Sequence, residues 1–213
     1  MAVVGSERET RADMNGVGVD LPSFVRSISS FESQLSLEAA IESFTLMPNA
    51  DPFLISAYDF YLPNDATPHE FSLRASLIRK VAGLQKRGCF ILLDSGKYEA
   101  ARKGNLKGWT EDAYRAVLDI VPFTLAFCFD SLEPPANIEE NVANVISAVE
   151  RAGKGRVLPV AHAPLEENGL RRFQCLPDIV FDLASRLNAP LIAVAERELG
   201  DGLLQRIATI REI

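Results

Sequence analysis

Gly88-Cys89-Phe90-Ile91-Leu92-Leu93-Asp94-Ser95-Gly96-Lys97-Tyr98-Glu99 holds a short apolar run that begins after a glycine and stops at a carboxylate. Cys89 to Leu93 has no polar residue at alternate positions, so neither face of a strand built from it would meet water. Strands of a parallel sheet covered on both sides read this way. Working outward, the same phrase recurs at Phe123–Phe129, Val157–Ala161 and Leu191–Ala195, with Phe53–Tyr58 as the earliest copy. Gly, Pro or Asn stands just upstream of the later runs: Pro122, Gly155, and Asn188 with Pro190.

Helical patterns fill the intervals. Leu73, Leu77, Val81 and Leu84 form one stripe after Pro68-His69-Glu70. Tyr114, Val117, Leu118 and Val121 form another, with Thr110 as the expected cap and Glu111 and Asp112 suited to the first-turn dipole. Val142, Val145, Ile146 and Val149 form a third, and Val180, Leu183, Ala184 and Leu187 a fourth with Pro177 at its start. Upstream, Ser36 is the expected cap of a helix with the stripe Leu37, Ala40, Ile41 and Phe44. Strand followed by helix, repeated, predicts parallel strands joined by right-handed crossovers.

The residues just past the later strands are Asp94, Asp130, His162 and Glu196, following one another at intervals of 36, 32 and 34 residues. That beat predicts an α/β fold of the TIM-type (β/α) barrel, whose eight units need roughly 250 residues. Five βα units are visible in 213 residues, the last breaking off in the pattern Leu203, Leu204, Ile207, Ile210. The expectation is an incomplete barrel over 49–213, preceded by an N-terminal tail and short helix over 1–48. The alternative is an open five-stranded parallel sheet.

Composition narrows the function classes. A net charge of −7 and a pI near 5.0 weigh against a broad basic surface that would neutralise phosphates. Cys89, Cys128 and Cys175 are odd in number and contain no C-x-x-C pair, which weighs against disulfides and a structural zinc site and favours a reducing, cytoplasmic home. No run of ~18 apolar residues is present, so no membrane span is expected. The first twenty residues lack both the positive start and the apolar run of a signal peptide.

Ligands of parallel α/β folds bind beyond the carboxyl ends of the strands, which is where the titratable residues fall. Taken singly, an Asp there caps a turn as often as it does chemistry, and Arg197 between Glu196 and Glu198 reads as a solvated ion-pair cluster. Four successive strand ends with such residues point to one shared cleft.

Leu93-Asp94-Ser95-Gly96-Lys97-Tyr98-Glu99 resembles the L-D-S-G-G-F-Q segment of the tRNA-guanine transglycosylases, the queuine and archaeosine tRNA-ribosyltransferases. Ala126–Ser131 is similar to their M-A-F-D-E-C segment, with Glu133-Pro134 near the following T-P. Pro159–Ala163 is similar in place to G-I-V-Q-G-G, and Ala193–Asp201 to A-I-G-G-L-S-V-G-E. The resemblance covers about 52–213 and extends to the related enzymes that insert deazaguanines into DNA. It implies exchange of guanine for a 7-deazaguanine in tRNA or DNA, through a covalent link to a carboxylate nucleophile and a flipped base.

By resemblance, Asp94 is the acid/base or base-contacting carboxylate. Asp130 accepts hydrogen bonds from the base, and Ser95, Gly96, Tyr98, His162 and Glu196 complete the substrate site. His162 stands where the family has Gln, Glu196 where it has Gly, and Lys97 replaces the second Gly after Asp-Ser. The family's nucleophilic Asp and its zinc cluster fall beyond the matched region, so no cofactor is expected within 1–213. The expected partner is a purine or 7-deazaguanine base. Nucleic acid would need a further basic domain or chain, and an open sheet edge would favour self-association. Two other readings stand beside this one. In the first, Asp94, Asp130, His162 and Glu196 ligate a divalent metal in a hydrolase or isomerase. In the second, the chain is a non-catalytic binding module.

Overall fold

The structure is a computed structural model that describes residues 2–3, 12–14, 17–19, 26–27, 34–45, 52–153, 155–165, 172–189 and 191–194. In chain order the strands are β1 (Ala2–Val3), β2 (Ala12–Met14), β3 (Val17–Val19), β4 (Arg26–Ser27), β5 (Phe53–Ser56), β6 (Ile91–Asp94), β7 (Leu125–Phe127), β8 (Val157–Leu158), β9 (Val160–Ala161) and β10 (Ala193–Val194). The helices are α1 (Gln34–Thr45), α2 (Pro68–Lys86), α3 (Lys97–Arg102), α4 (Glu111–Ile120), α5 (Ile138–Ala152) and α6 (Leu176–Leu187). The architecture is mixed α/β, with a parallel four-strand sheet. The chain divides into two compact units, one of residues 22–126 and one split between 1–21 and 127–213.

In the 22–126 unit the strand order is β4-β5-β6-β7. Phe53 lies against Ile91 and Ser56 against Asp94, while Leu92 lies against Leu125 and Leu93 against Ala126, all in parallel register. Ile91, Leu92 and Leu93 are consecutive and all buried, so both faces of β6 are covered, as its unbroken apolar run requires. Thr67 caps α2: its Oγ1 accepts from the Glu70 backbone N–H while the Thr67 N–H donates to Glu70 Oε2 at 2.7 Å. The helix ends at Gly88, whose φ of 86° lets its N–H reach the Gln85 carbonyl and the Cys89 N–H reach that of Leu84. This stop launches β6. Helix α1 packs on α2, where Lys80 is held by Glu38 at 2.7 Å and by Glu42.

In the split unit, β9 and β10 are parallel, with Val160 against Ala193 and Ala161 against Val194. β1 pairs antiparallel with β10, and β2 with β3 forms a separate antiparallel hairpin. Helix α5 starts at Asn137, whose Oδ1 accepts from the Glu140 N–H at 3.0 Å. Val142, Val145 and Val149 of α5 and Ile179, Val180 and Leu183 of α6 are buried, and the two helices pack on each other and on β9. Asn188, with φ 49°, closes α6.

Several boundaries differ from the sequence reading. Phe53–Tyr58 is strand only to Ser56, and Ala57–Phe60 is a turn of 3-10 helix with Ala57, Asp59 and Phe60 buried. Val157–Ala161 is two short strands with Pro159 between them; proline offers no N–H to a ladder. Ser36 does not cap α1, which starts two residues earlier. Arg26–Ser27 joins the parallel sheet beside β5, and Lys97–Arg102 forms a short helix to which the sequence reading assigned no element. The end of Leu191–Ala195, Glu196 and the last helical stripe lie outside the described residues.

Candidate functional site

Strand β7 and the buried Cys128 carry the chain to Asp130, and β9 carries it to His162. The two meet: His162 Nε2 lies 3.0 Å from Asp130 Oδ2. With Asp130 ionised its carboxylate only accepts, and Nε2 is then the donor of the pair. The imidazole is 2% exposed and the carboxylate 15%. His162 is also held from behind, since the buried amide of Asn141 on α5 donates to its backbone carbonyl at 3.0 Å. Ser131 turns the chain away, its hydroxyl donating to the Glu133 carbonyl and accepting from the Glu133 N–H. Two side chains 32 residues apart, from separate strand–helix units, thus form one buried dyad whose carboxylate retains a solvent-facing portion.

Within the 22–126 unit, Asp94 ends β6. Its Oδ2 accepts from the Gly96 N–H at 3.4 Å, a long bond that closes a turn over the strand end. Ser95 is buried, and its carbonyl accepts the Trp109 indole N–H at 2.9 Å. Its hydroxyl faces the Lys97 N–H at 3.5 Å. Gly96 has φ 75°, and a Cβ there would lie 2.6 Å from the Tyr58 nitrogen, so only glycine fits. Tyr98 opens α3 and is 55% exposed. Of the six residues the sequence singled out after Asp94, Asp130 and His162 are in contact, Ser95, Gly96 and Tyr98 follow Asp94 on one turn and the helix it opens, and Glu196 lies outside the described residues.

Sequence reasoning missed a second polar cluster near that turn. Asp59 is 6% exposed and Glu99 4% exposed, with Lys103 Nζ 4.0 Å from Asp59 Oδ1. Burial pushes the Asp59 carboxyl up to about 7, Lys103 opposes the rise, and the like charge of Glu99 adds to it. Around it stand Tyr58 and Tyr61, stacked at 5.7 Å, and Trp109, edge-on to both at 5.4 Å. The available signal was an Asp between aromatics just past a buried strand, Tyr58-Asp59-Phe60-Tyr61.

Among the described residues no group of three or more His, Cys, Asp or Glu is placed to hold a metal, and no disulfide joins Cys89, Cys128 or Cys175. No described helix is long and apolar enough to cross a membrane. No protein family, curated protein or solved structure matches this chain.

Proposed function

We propose that this chain is a transglycosylase-like protein on a TIM-type (β/α) barrel, and that its strand ends take a purine-like base of the guanine or 7-deazaguanine class. The observation that supports the reading is the Asp130–His162 contact at 3.0 Å. A carboxylate with about four acceptor sites can give one oxygen to an imidazole and still accept from a base's amino and ring N–H groups. His162 then orients Asp130 rather than reading the base, which accounts for an imidazole where the family has an amide. Asp94 is the acid/base carboxylate of this reading, with Ser95 and Gly96 shaping its turn and Tyr98 as the flanking aromatic. Base exchange needs a nucleophile outside the region of resemblance, and a net charge of −7 leaves nucleic-acid docking to another basic surface.

Calorimetric titration of the chain with guanine and 7-deazaguanines tests this. Binding is expected without exchange into tRNA or DNA, and Asp130→Asn is expected to weaken it roughly 5- to 150-fold, the equivalent of about 1–3 kcal/mol. Failure of any such base to bind, or unchanged binding by the Asn variant, removes the proposal. Hydrolysis by the chain that chelators abolish would replace it with the metal-dependent reading.

A further inference from the structure

We propose that the buried contact of Asp59, Glu99 and Lys103 between the 57–60 turn and α3 is a pH-sensitive switch, coupled through Tyr58 and Trp109 to the turn that carries Asp94. Asp59 sits three residues past the end of β5, and Glu99 and Lys103 lie on α3 and its C-terminal cap, the helix opened by Asp94-Ser95-Gly96. Two carboxyl groups are thereby taken out of water within one small contact between elements. A buried carboxylate loses its hydration, and a second one nearby adds repulsion. The opposing lysine stands at 4.0 Å with 34% of its side chain in solvent, so its attraction is diluted by water. Burial and repulsion outweigh that attraction and raise the Asp59 carboxyl.

Of the elements packed on the turn, which are β5, α2, α3 and α4, the charged groups acting on Asp59 come from α3 and its cap. Tyr114 is the buried titratable ring on α4, and Tyr58 and Tyr61 flank Asp59 on its own segment. Lys103 also lies 5.5 Å from the centre of the Tyr58 ring. Movement of Lys103 towards an ionised Asp59 would therefore be felt by that ring. Tyr58 in turn touches the space under Gly96, and Trp109 bridges the Tyr58 ring to the Ser95 carbonyl. The contact thus runs from a titrating acid to the turn that aims Asp94.

Carboxyl 13C NMR on the full chain, with the Trp109 indole N–H as a second probe, tests the proposal. One carboxyl is expected to titrate near pH 7, with the indole signal moving at the same midpoint. Asp59→Asn should remove both responses. Glu99→Gln should lower the midpoint, and Lys103→Met should raise it, each by about 1 pH unit. These two variants carry the test if the Asn variant does not fold. Titration of every carboxyl below about pH 5 would overturn the proposal. So would a midpoint unmoved by Glu99→Gln and Lys103→Met, or an indole signal indifferent to the titration.

Discussion

A methyl group on Gly96 would meet the Cβ and backbone nitrogen of Tyr58 at 2.6 Å and Ser56 Oγ at 2.8 Å, at a backbone φ of 75°. Gly96→Ala thus combines left-handed strain with overpacking against backbone, and is expected to cost about 2–4 kcal/mol. Urea denaturation measures it; a variant as stable as the parent would show that the turn relaxes freely. At this scale the sequence was legible wherever a titratable residue ended an apolar run. Asp130 and His162 stood out for that reason, and they meet. Asp59 did not, because its burial comes from Ala57–Phe60 coiling into a 3-10 turn, where the apolar run Phe53–Tyr58 reads as continuous strand. Glu99 was visible only as the last residue of the Leu93–Glu99 segment, and nothing in its neighbours announces that α3 buries it.

Elements were legible where local chemistry and hydrophobic period agree. Thr110 caps α4 as its position before Glu111-Asp112 suggests, its Oγ1 accepting from the Ala113 N–H at 3.2 Å. The Thr67-x-x-Glu70 box before α2 carries an equally strong signal, and both of its reciprocal bonds form. Thr67→Ala is expected to lower stability by about 1 kcal/mol, measured by thermal or chemical unfolding, with Glu70→Ala giving part of the same loss. In the core, Leu93→Ala should cost about 2–5 kcal/mol, because β6 is covered on both faces and a cavity there has no solvent to collapse towards. A cost below 1 kcal/mol, roughly that of a surface substitution, would contradict that burial. Arg26–Ser27 was illegible for the opposite reason. A two-residue polar strand has no period of its own, and only the neighbouring Phe53–Leu54 backbone makes it one. Pro159 was in plain view, but an apolar run does not say which side of a ladder can do without its missing N–H.

For the whole molecule, the buried acid sets a direction of pH dependence. Asp59 binds its proton more tightly folded, at about 7, than at the ordinary value of 3.8. Between those values the folded state holds more protons, so the contribution to stability is full below about pH 4 and is lost as pH rises through 7. Glu38 runs the other way. Lys80 and Ser76 hold its carboxyl below the ordinary 4.5, so its contribution is present above that value and fades as pH falls. Stability is expected to decline from pH 5 to pH 8 by an amount on the order of a few kcal/mol, and Asp59→Asn should flatten the decline. Guanidinium unfolding at the two pH values decides it, and equal stabilities in the parent would refute the sign.

The pairing of Ala2–Val3 with Ala193–Val194 has a consequence in time. A ribosome makes Ala193–Val194 about 190 residues after Ala2–Val3, a delay on the order of 10 to 40 seconds at ordinary elongation rates. During that interval residues 22–126 emerge and can condense, while Ala2–Val3 waits for Ala193–Val194. Assembly of the split unit is therefore a late event in biosynthesis.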